Sequence, residues 1–329
     1  YDENNKFSKK TFVGFKDYFF YSKENLADLT KYDRFKVEEG KVYKALNDEE
    51  VCRVFYRSIK DKKELNRSHP DRIFEEDVSP EFKFICDENL EFSKVRHILF
   101  FDIETWYDKD DDSANSPDKT IMPITSIVGY STKDEEYVVF SWHPEKTKDF
   151  EDLKTVDKDG IKYVFSKTED EMLLAFLSYV SMNNVDILSG WYSAQFDLPY
   201  IINRCKTIGI DYRVLSPIGK VRIYKQKEYW KVFIEGLDHI DMMDALKDLN
   251  FNLSNWKLAT AAEEILEGSN IEKLTDTTWK DWLDNYKGFL DYAIRDVEIL
   301  FEISKKLNVF ELYANLQNIA KLPALNQVF

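Results

Sequence analysis

The sequence predicts an α/β domain with a central sheet flanked by helices, preceded by a small, mostly β domain. Three observations carry that expectation. Residues 1 to about 96 hold short alternating runs broken at His69–Pro70 and Ser79–Pro80, as small strands and turns require. From His97 the runs lengthen, and strand and helix patterns alternate. With 329 residues, of which 43% are hydrophobic and 15% aromatic, the chain can build a sizeable core.

In the first domain, Val42–Leu46, Val51–Arg57 and Glu81–Cys86 read as strands. In the second, His97-Ile-Leu-Phe-Phe-Asp-Ile-Glu104 reads as a strand buried on both faces. Ile124–Ser131 and Glu136–Trp142 follow as strands. Between Trp106 and Pro123 lies an acidic loop carrying Asp108, Asp110, Asp111, Asp112 and Asp118, read as a solvated loop. Thr168 and Glu171 have capping-box spacing at the start of a helix through Val180. Val185–Ser189 is the next strand, and Gly190 turns the chain through Asp197 into a helix over Leu198–Thr207. Val221–Ile223 and Tyr229–Ile234 form a ribbon. Helices are expected over Met242–Leu249, Ser254–Leu266 and Tyr286–Leu307. The domains so defined run 1–96 and 97–310, with 311–329 as a trailing segment.

Composition narrows the function. Cys52, Cys86 and Cys205 are odd in number and widely spaced, which argues against a disulfide framework or a zinc site and for a reducing, cytoplasmic compartment. His69, His97, His143 and His239 are scattered without ligand spacing. No apolar run approaches the roughly 18–20 residues of a membrane span, and Tyr1 opens no apolar signal core. The missing initiator Met points to a fragment, a processed chain or trimmed ends. The net charge of −15 counts against nucleic-acid binding as a whole. One stretch departs from it. Between Arg204 and Lys231, eight Lys and Arg residues face only Asp211 and Glu228, with Tyr212, Tyr224, Tyr229 and Trp230 interleaved. Cations for phosphates and rings for bases suit a single strand; an ordinary solvated strand pair suits the same residues.

The candidate chemistry lies in four acids. Asp102 and Glu104, two apart on a strand, share a face. Two adjacent acids ending so apolar a strand are costly unless a cation neutralises them, and a hard cation such as Mg²⁺ prefers carboxylate oxygens. Asp197 stands where a turn enters a helix, a place an acid also takes simply to serve the helix N-terminus. Tyr292 and Asp296, four apart in a helix, lie on one face. Taken singly, each acid is as well explained by structure as by catalysis.

Their order is more specific. Phe100-Phe-Asp-Ile-Glu-Thr105, Gly190-Trp-Tyr-Ser-Ala-Gln-Phe-Asp-Leu-Pro-Tyr200 and Tyr292-Ala-Ile-Arg-Asp296 resemble, in sequence order, the three exonuclease motifs of family B DNA polymerases. Phe74–Phe84 resembles the N-terminal domain before the first motif. Leu215-Ser-Pro-Ile218 resembles the segment after the second, and Phe251-Asn-Leu-Ser254 the approach to a later helix. Gly190–Trp191 leans towards T-even-like phage members. Many members carry Asn at the positions of Tyr192 and Gln195. The polymerase motifs Asp-x-x-Ser-Leu-Tyr-Pro-Ser and Tyr-x-Asp-Thr-Asp do not occur, so no DNA synthesis is expected.

The resemblance implies an RNase H-like exonuclease domain with a mixed sheet. Asp102, Glu104, Asp197 and Asp296 would hold two Mg²⁺ or Mn²⁺ ions. Tyr292 would orient the attacking water, which, with Asp at position 291, indicates the tyrosine (DEDDy) branch. It implies 3′→5′ hydrolysis of single-stranded DNA ends to nucleoside monophosphates, as the proofreading part of a replicative polymerase. The ribbon over Val221–Ile234 would help move the primer end. Phe196, Arg222, Tyr224, Lys225 and Lys227 become DNA-contact candidates. Partners would be the primer 3′ end and the rest of the polymerase, with a sliding clamp and replisome proteins as further candidates, and no membrane. Two alternatives stand beside it: a weak or inactive single-stranded DNA-binding module of the polymerase, and a stand-alone exoribonuclease, against which Phe74–Phe84 argues.

Overall fold

The computed structural model describes residues 14–29, 31–92, 96–106, 115–145, 156–158, 160–267 and 279–325. Asp108 to Asp112 of the acidic loop lie outside them. The chain divides into two compact units, residues 1–92 with 317–323 and residues 93–316 with 324–329.

The first unit has strands β1 (Tyr18–Ser22), β2 (Phe35–Val37), β3 (Tyr43–Lys44), β4 (Glu50–Tyr56) and β5 (Ile73–Phe74), with helices α1 (Ile59–Ser68) and α2 (Pro80–Asp87). Its antiparallel sheet runs β2-β4-β1-β5, with β3 also paired to β4. Phe19, Tyr21, Leu29, Phe35, Val54 and Leu65 form its core. The expected strand over Glu81–Cys86 is instead helix α2. Its apolar alternation is only six residues long, and stronger start signals override it. Ser79 Oγ accepts from the Phe82 N–H at 3.2 Å, and Pro80 opens the first turn.

The second unit is built on a seven-stranded mixed sheet. In chain order its strands are β6 (Ile98–Thr105), β7 (Ile124–Ser131), β8 (Glu136–Trp142), β9 (Val156–Lys158), β10 (Ile161–Ser166), β11 (Ile187–Gly190) and, beyond a separate ribbon of β12 (Val221–Gln226) and β13 (Tyr229–Ile234), β14 (Asp238–Asp241). The spatial order is β14-β11-β6-β7-β8-β10-β9. The helices are α3 (Glu169–Met182), α4 (Asp197–Ile208), α5 (Met242–Asp248), α6 (Leu258–Ile265), α7 (Trp279–Asp284), α8 (Tyr286–Leu307) and α9 (Val309–Ala320). This is the α/β architecture expected from the sequence. The ends shift: the helix expected from Ser254 begins at Leu258, because Asn255 Oδ1 takes the Lys257 N–H and the Thr260 hydroxyl in a turn ahead of it.

Strand β6 is buried on both faces, and its pleat decides where the acids go. Ile98 and Phe100 enter one core with Ala293, Val297 and Leu300 of α8. Leu99, Phe101 and Ile103 enter the opposite core with Phe176 and Leu177 of α3 and Leu198 and Ile201 of α4. Each buried Phe contributes about 1.5–3 kcal/mol, which anchors the apolar half of the strand. Asp102 and Glu104 continue the row of Ile98 and Phe100, towards the α8 side.

The expected capping box of α3 does not form. Thr168 is the N-cap residue but its side chain makes no capping bond. Glu171 accepts from the Lys167 N–H instead, at 2.9 Å. Glu169 is drawn inward, where it accepts from the Ile124 N–H at 2.8 Å and pairs bidentately with Arg204 of α4 at 2.8 and 2.7 Å.

Candidate active site

The site begins where β11 stops. β11 pairs in parallel with β6 only as far as Ser189 opposite Phe100. Beyond that point the edge of β6 is open. The chain turns away at Gly190, where a Cβ would stand 2.6 Å from Ser193 Cβ and 2.9 Å from the Phe101 carbonyl oxygen, so only glycine fits. After a six-residue loop the chain returns as α4. Its first residue, Asp197, fills the open edge: Oδ1 accepts from the Ile103 N–H at 3.2 Å. Ile103 lies between Asp102 and Glu104, so one hydrogen bond joins the first and second motifs. A crevice at the carboxyl ends of neighbouring parallel strands is where open α/β sheets generally place their sites.

The loop from 191 to 196 is fixed by residues that sequence reasoning missed. Asp241, at the end of β14, accepts from the Tyr192 N–H at 3.1 Å and the Ala194 N–H at 2.8 Å. It also caps α5 through Met243 N–H at 2.9 Å and Asp244 N–H at 3.3 Å. Ser193 Oγ lies 2.9 Å from Nε2 of His239, whose pKa burial lowers to about 4, so the ring is neutral. Trp191 Nε1 donates to the Trp256 carbonyl at 3.0 Å. Tyr192 sits in this loop at φ 59° and is half exposed, an unusual backbone for so bulky a residue. The sole sequence signal for Asp241 was an acid just before a helix, which reads as an ordinary cap.

Charge concentrates here. The Asp102 carboxyl is raised well above the usual carboxylate range, first by burial, then by the charges of Asp197, Glu104 and Asp296. Asp197 is raised to about 7, mainly by burial; the Ile103 N–H opposes this and Asp241 adds to it. Asp241 is raised to about 6, again by burial first. So the acids of all three motifs act on Asp102 at once, and α8 brings Asp296 there with Tyr292 one turn earlier. Among the described residues no three His, Cys, Asp or Glu side chains stand at finished metal-ligand spacing. The donor set nevertheless suits one kind of ligand. It is all carboxylate oxygen, partly buried and mutually repelling, which favours a hard divalent cation over a soft or imidazole-seeking one.

The strand-contact candidates divide. Phe196, just before α4, is partly buried and its ring lies 5.5 Å from that of Tyr200. The other four are on the β12–β13 ribbon. Arg222 is exposed, 5.0 Å above the Phe233 ring and 3.5 Å from Glu235. Tyr224 is 47% exposed and stacks on Phe233 at 6.1 Å. Lys225 pairs with Asp118 at 2.7 Å, and Lys227 holds the ribbon turn at φ 57°. The outward row thus alternates Arg222, Tyr224, Tyr229, Lys231 and Phe233. Gln195 is engaged elsewhere: Oε1 accepts from the Trp230 N–H at 2.9 Å, and Nε2 lies 3.5 Å from the Trp230 carbonyl oxygen.

No helix of the described residues is long and apolar enough to cross a membrane. Residues 35–261 match the family model described as DNA polymerase family B, exonuclease domain; Tyr292 and Asp296 lie beyond that range. Among curated proteins, the DNA-directed DNA polymerase of Enterobacteria phage T4 is 28% identical over 68% of this chain and 27% of its own length. The DNA polymerase of Thermococcus kodakarensis is 26% identical over 73% of this chain and 14% of its own. The DNA polymerase catalytic subunit of Alcelaphine herpesvirus 1 is 24% identical over 69% of this chain and 22% of its own. The chain thus spans under a third of each of these relatives. With the family model covering more than half of the chain, it belongs to the family B DNA polymerases and carries their exonuclease domain.

Proposed function

We propose that this chain is a metal-dependent 3′→5′ exonuclease that removes nucleotides from single-stranded DNA ends, the proofreading activity of a replicative polymerase. Proofreading in this direction is general for the family whose exonuclease domain the chain carries. The observation that carries the reading is the hydrogen bond from Ile103 N–H to Asp197, which gathers the second-motif acid onto the strand between Asp102 and Glu104.

In the reaction, water attacks the terminal phosphorus, the bond to the leaving 3′ oxygen breaks, and a nucleoside 5′-monophosphate departs. Exonuclease domains of this family depend in general on divalent metal. Here Asp102, Glu104, Asp197 and Asp296 would hold two Mg²⁺ or Mn²⁺ ions, which supply positive charge for an in-line displacement. The chain's own residues set the rest. Burial and mutual repulsion keep the acids protonation-prone, so they are ready to exchange protons for cations. Tyr292, on the same helix face as Asp296, offers a hydroxyl to orient the attacking water. The cationic and aromatic outer row of the ribbon suits a single strand, phosphates on Arg222, Lys227 and Lys231 and bases on Tyr224 and Tyr229.

The test is a 3′-terminal time course on a labelled single-stranded oligonucleotide with Mg²⁺ or Mn²⁺, for the chain and for Asp102→Ala. Stepwise shortening with release of monophosphates, lost in the variant, is expected. An intact oligonucleotide with either metal, while binding persists, sinks the reading and leaves a strand-binding module of the polymerase.

A further inference from the structure

Among the described residues the β12–β13 ribbon pairs with no third strand, so within them its long edges carry no further ladder. Its closing pair, Gln226 with Tyr229, flanks the two-residue turn Lys227–Glu228. In such a hairpin the closing pair exchanges the hydrogen bonds, and the next pair, Lys225 with Trp230, does not. The N–H and C=O of Trp230 therefore point out of the ribbon, along the β13 edge. An edge donor and acceptor of this kind need a partner. They find it 35 positions away in the chain, in the carboxamide of Gln195. A backbone N–H can only donate, so the atom facing it at 2.9 Å must be the amide oxygen. The long 3.5 Å contact from Nε2 to the Trp230 carbonyl completes a side-chain mimic of a third strand. Gln195 stands two residues before Asp197, in the loop whose Tyr192 and Ala194 N–H groups Asp241 holds.

We propose that Gln195 is a positioning residue, a latch that fixes the register of the β12–β13 ribbon against the Asp197 loop so that a strand lying on the ribbon meets the carboxylates at a set distance. This rests on the exonuclease reading for its consequence but not for its geometry. A methionine at this position keeps the length and apolar stem and removes both contacts. A glutamate keeps the oxygen that takes the Trp230 N–H. Neither change touches the carboxylates, so the latch acts on where the strand lies, not on the bond-breaking step.

The experiment follows amide hydrogen exchange and exonuclease kinetics in the 329-residue chain. In Gln195→Met the Trp230 amide should exchange about 10-fold faster, the protection given by one hydrogen bond of about 1.4 kcal/mol. Amides of Leu99 and Phe101 should be unchanged, and Gln195→Glu should keep the protection. With Mg²⁺ and a single-stranded oligonucleotide, KM should rise several-fold for Gln195→Met while kcat stays within about twofold. Unchanged exchange at Trp230 overturns the latch, and so does a loss confined to kcat. If the unaltered chain cleaves nothing with either metal, the exonuclease reading fails on its own. Trp230 exchange together with metal-free oligonucleotide affinity, expected to drop in Gln195→Met, then decides the latch separately. General unfolding of Gln195→Met would be seen at Leu99 and Phe101, and Gln195→Glu then carries the test: Trp230 protection retained supports the latch, and protection lost overturns it.

Discussion

The carboxylate shelf and the β12–β13 ribbon solve opposite problems. The shelf places like charges at the end of a strand packed on both faces, where burial raises Asp102 and Asp197. The ribbon leaves Tyr224 and Tyr229 in water and sets cations between them. A rigid, repulsive shelf is made for ligands that must arrive in one geometry. A thin, exposed ribbon is made for a flexible polymer whose contacts are many and individually weak. In this chain, stability is given up where chemistry is expected, and not where binding is expected.

That contrast can be broken by experiment. The largest effect should come from the shelf. Asp102→Ala should lower the rate of 3′-end release by at least about 10²-fold, while its melting temperature rises because one repelling buried acid is gone. Loss of activity with a lower melting temperature would show a structural acid instead. Tyr292→Phe should cost about 10- to 100-fold in kcat with little change in KM, since only the hydroxyl is removed. On the ribbon, Tyr224→Ala should weaken metal-free binding of a single strand by about 10-fold, one stacked base being worth roughly 1–3 kcal/mol. Lys227→Ala should lower affinity less, and flatten the slope of log affinity against log salt by about 0.7. A ribbon change that abolished kcat, or a shelf change that altered only salt dependence, would erase the division.

The smallest effect is on stability against pH. Asp197 sits near 7 in the folded chain against 3.8 ordinarily. The folded state therefore keeps a proton that the unfolded state releases as pH rises from about 4 to about 7. Stability falls across that window and the loss is complete above it. With chelator present, the melting temperature should drop by a few degrees between pH 5 and pH 8, at roughly 2–4 °C per kcal/mol. Asp197→Asn should shrink the drop, with the remainder carried by the likewise raised Asp102 and Asp241, and an unchanged slope would place the proton elsewhere.

Much of this was readable from the residues alone. The run from Ile98 to Glu104 announced a doubly buried strand ending in two acids, because continuous apolar character and period-two spacing survive any tertiary context. Helix α8, expected over Tyr286–Leu307, has those bounds, since a long periodic stripe leaves little room for alternatives. Short elements were not legible in the same way. Six residues at Glu81–Cys86 alternate like a strand, yet Ser79 and Pro80 start a helix there.

The sequence by itself determined which acids the chain owns, in what order, and which pairs share a face, because those follow from local periods of two and 3.6 residues. Only the tertiary structure decided that Asp197 reaches the edge of β6 at Ile103, that Asp241 organises the loop in between, and that Gln195 is bonded to the ribbon. Each of these joins a backbone N–H to a side-chain oxygen 35 to 94 positions away. Such partners are chosen by which strand edges the topology leaves open, and no local period records that.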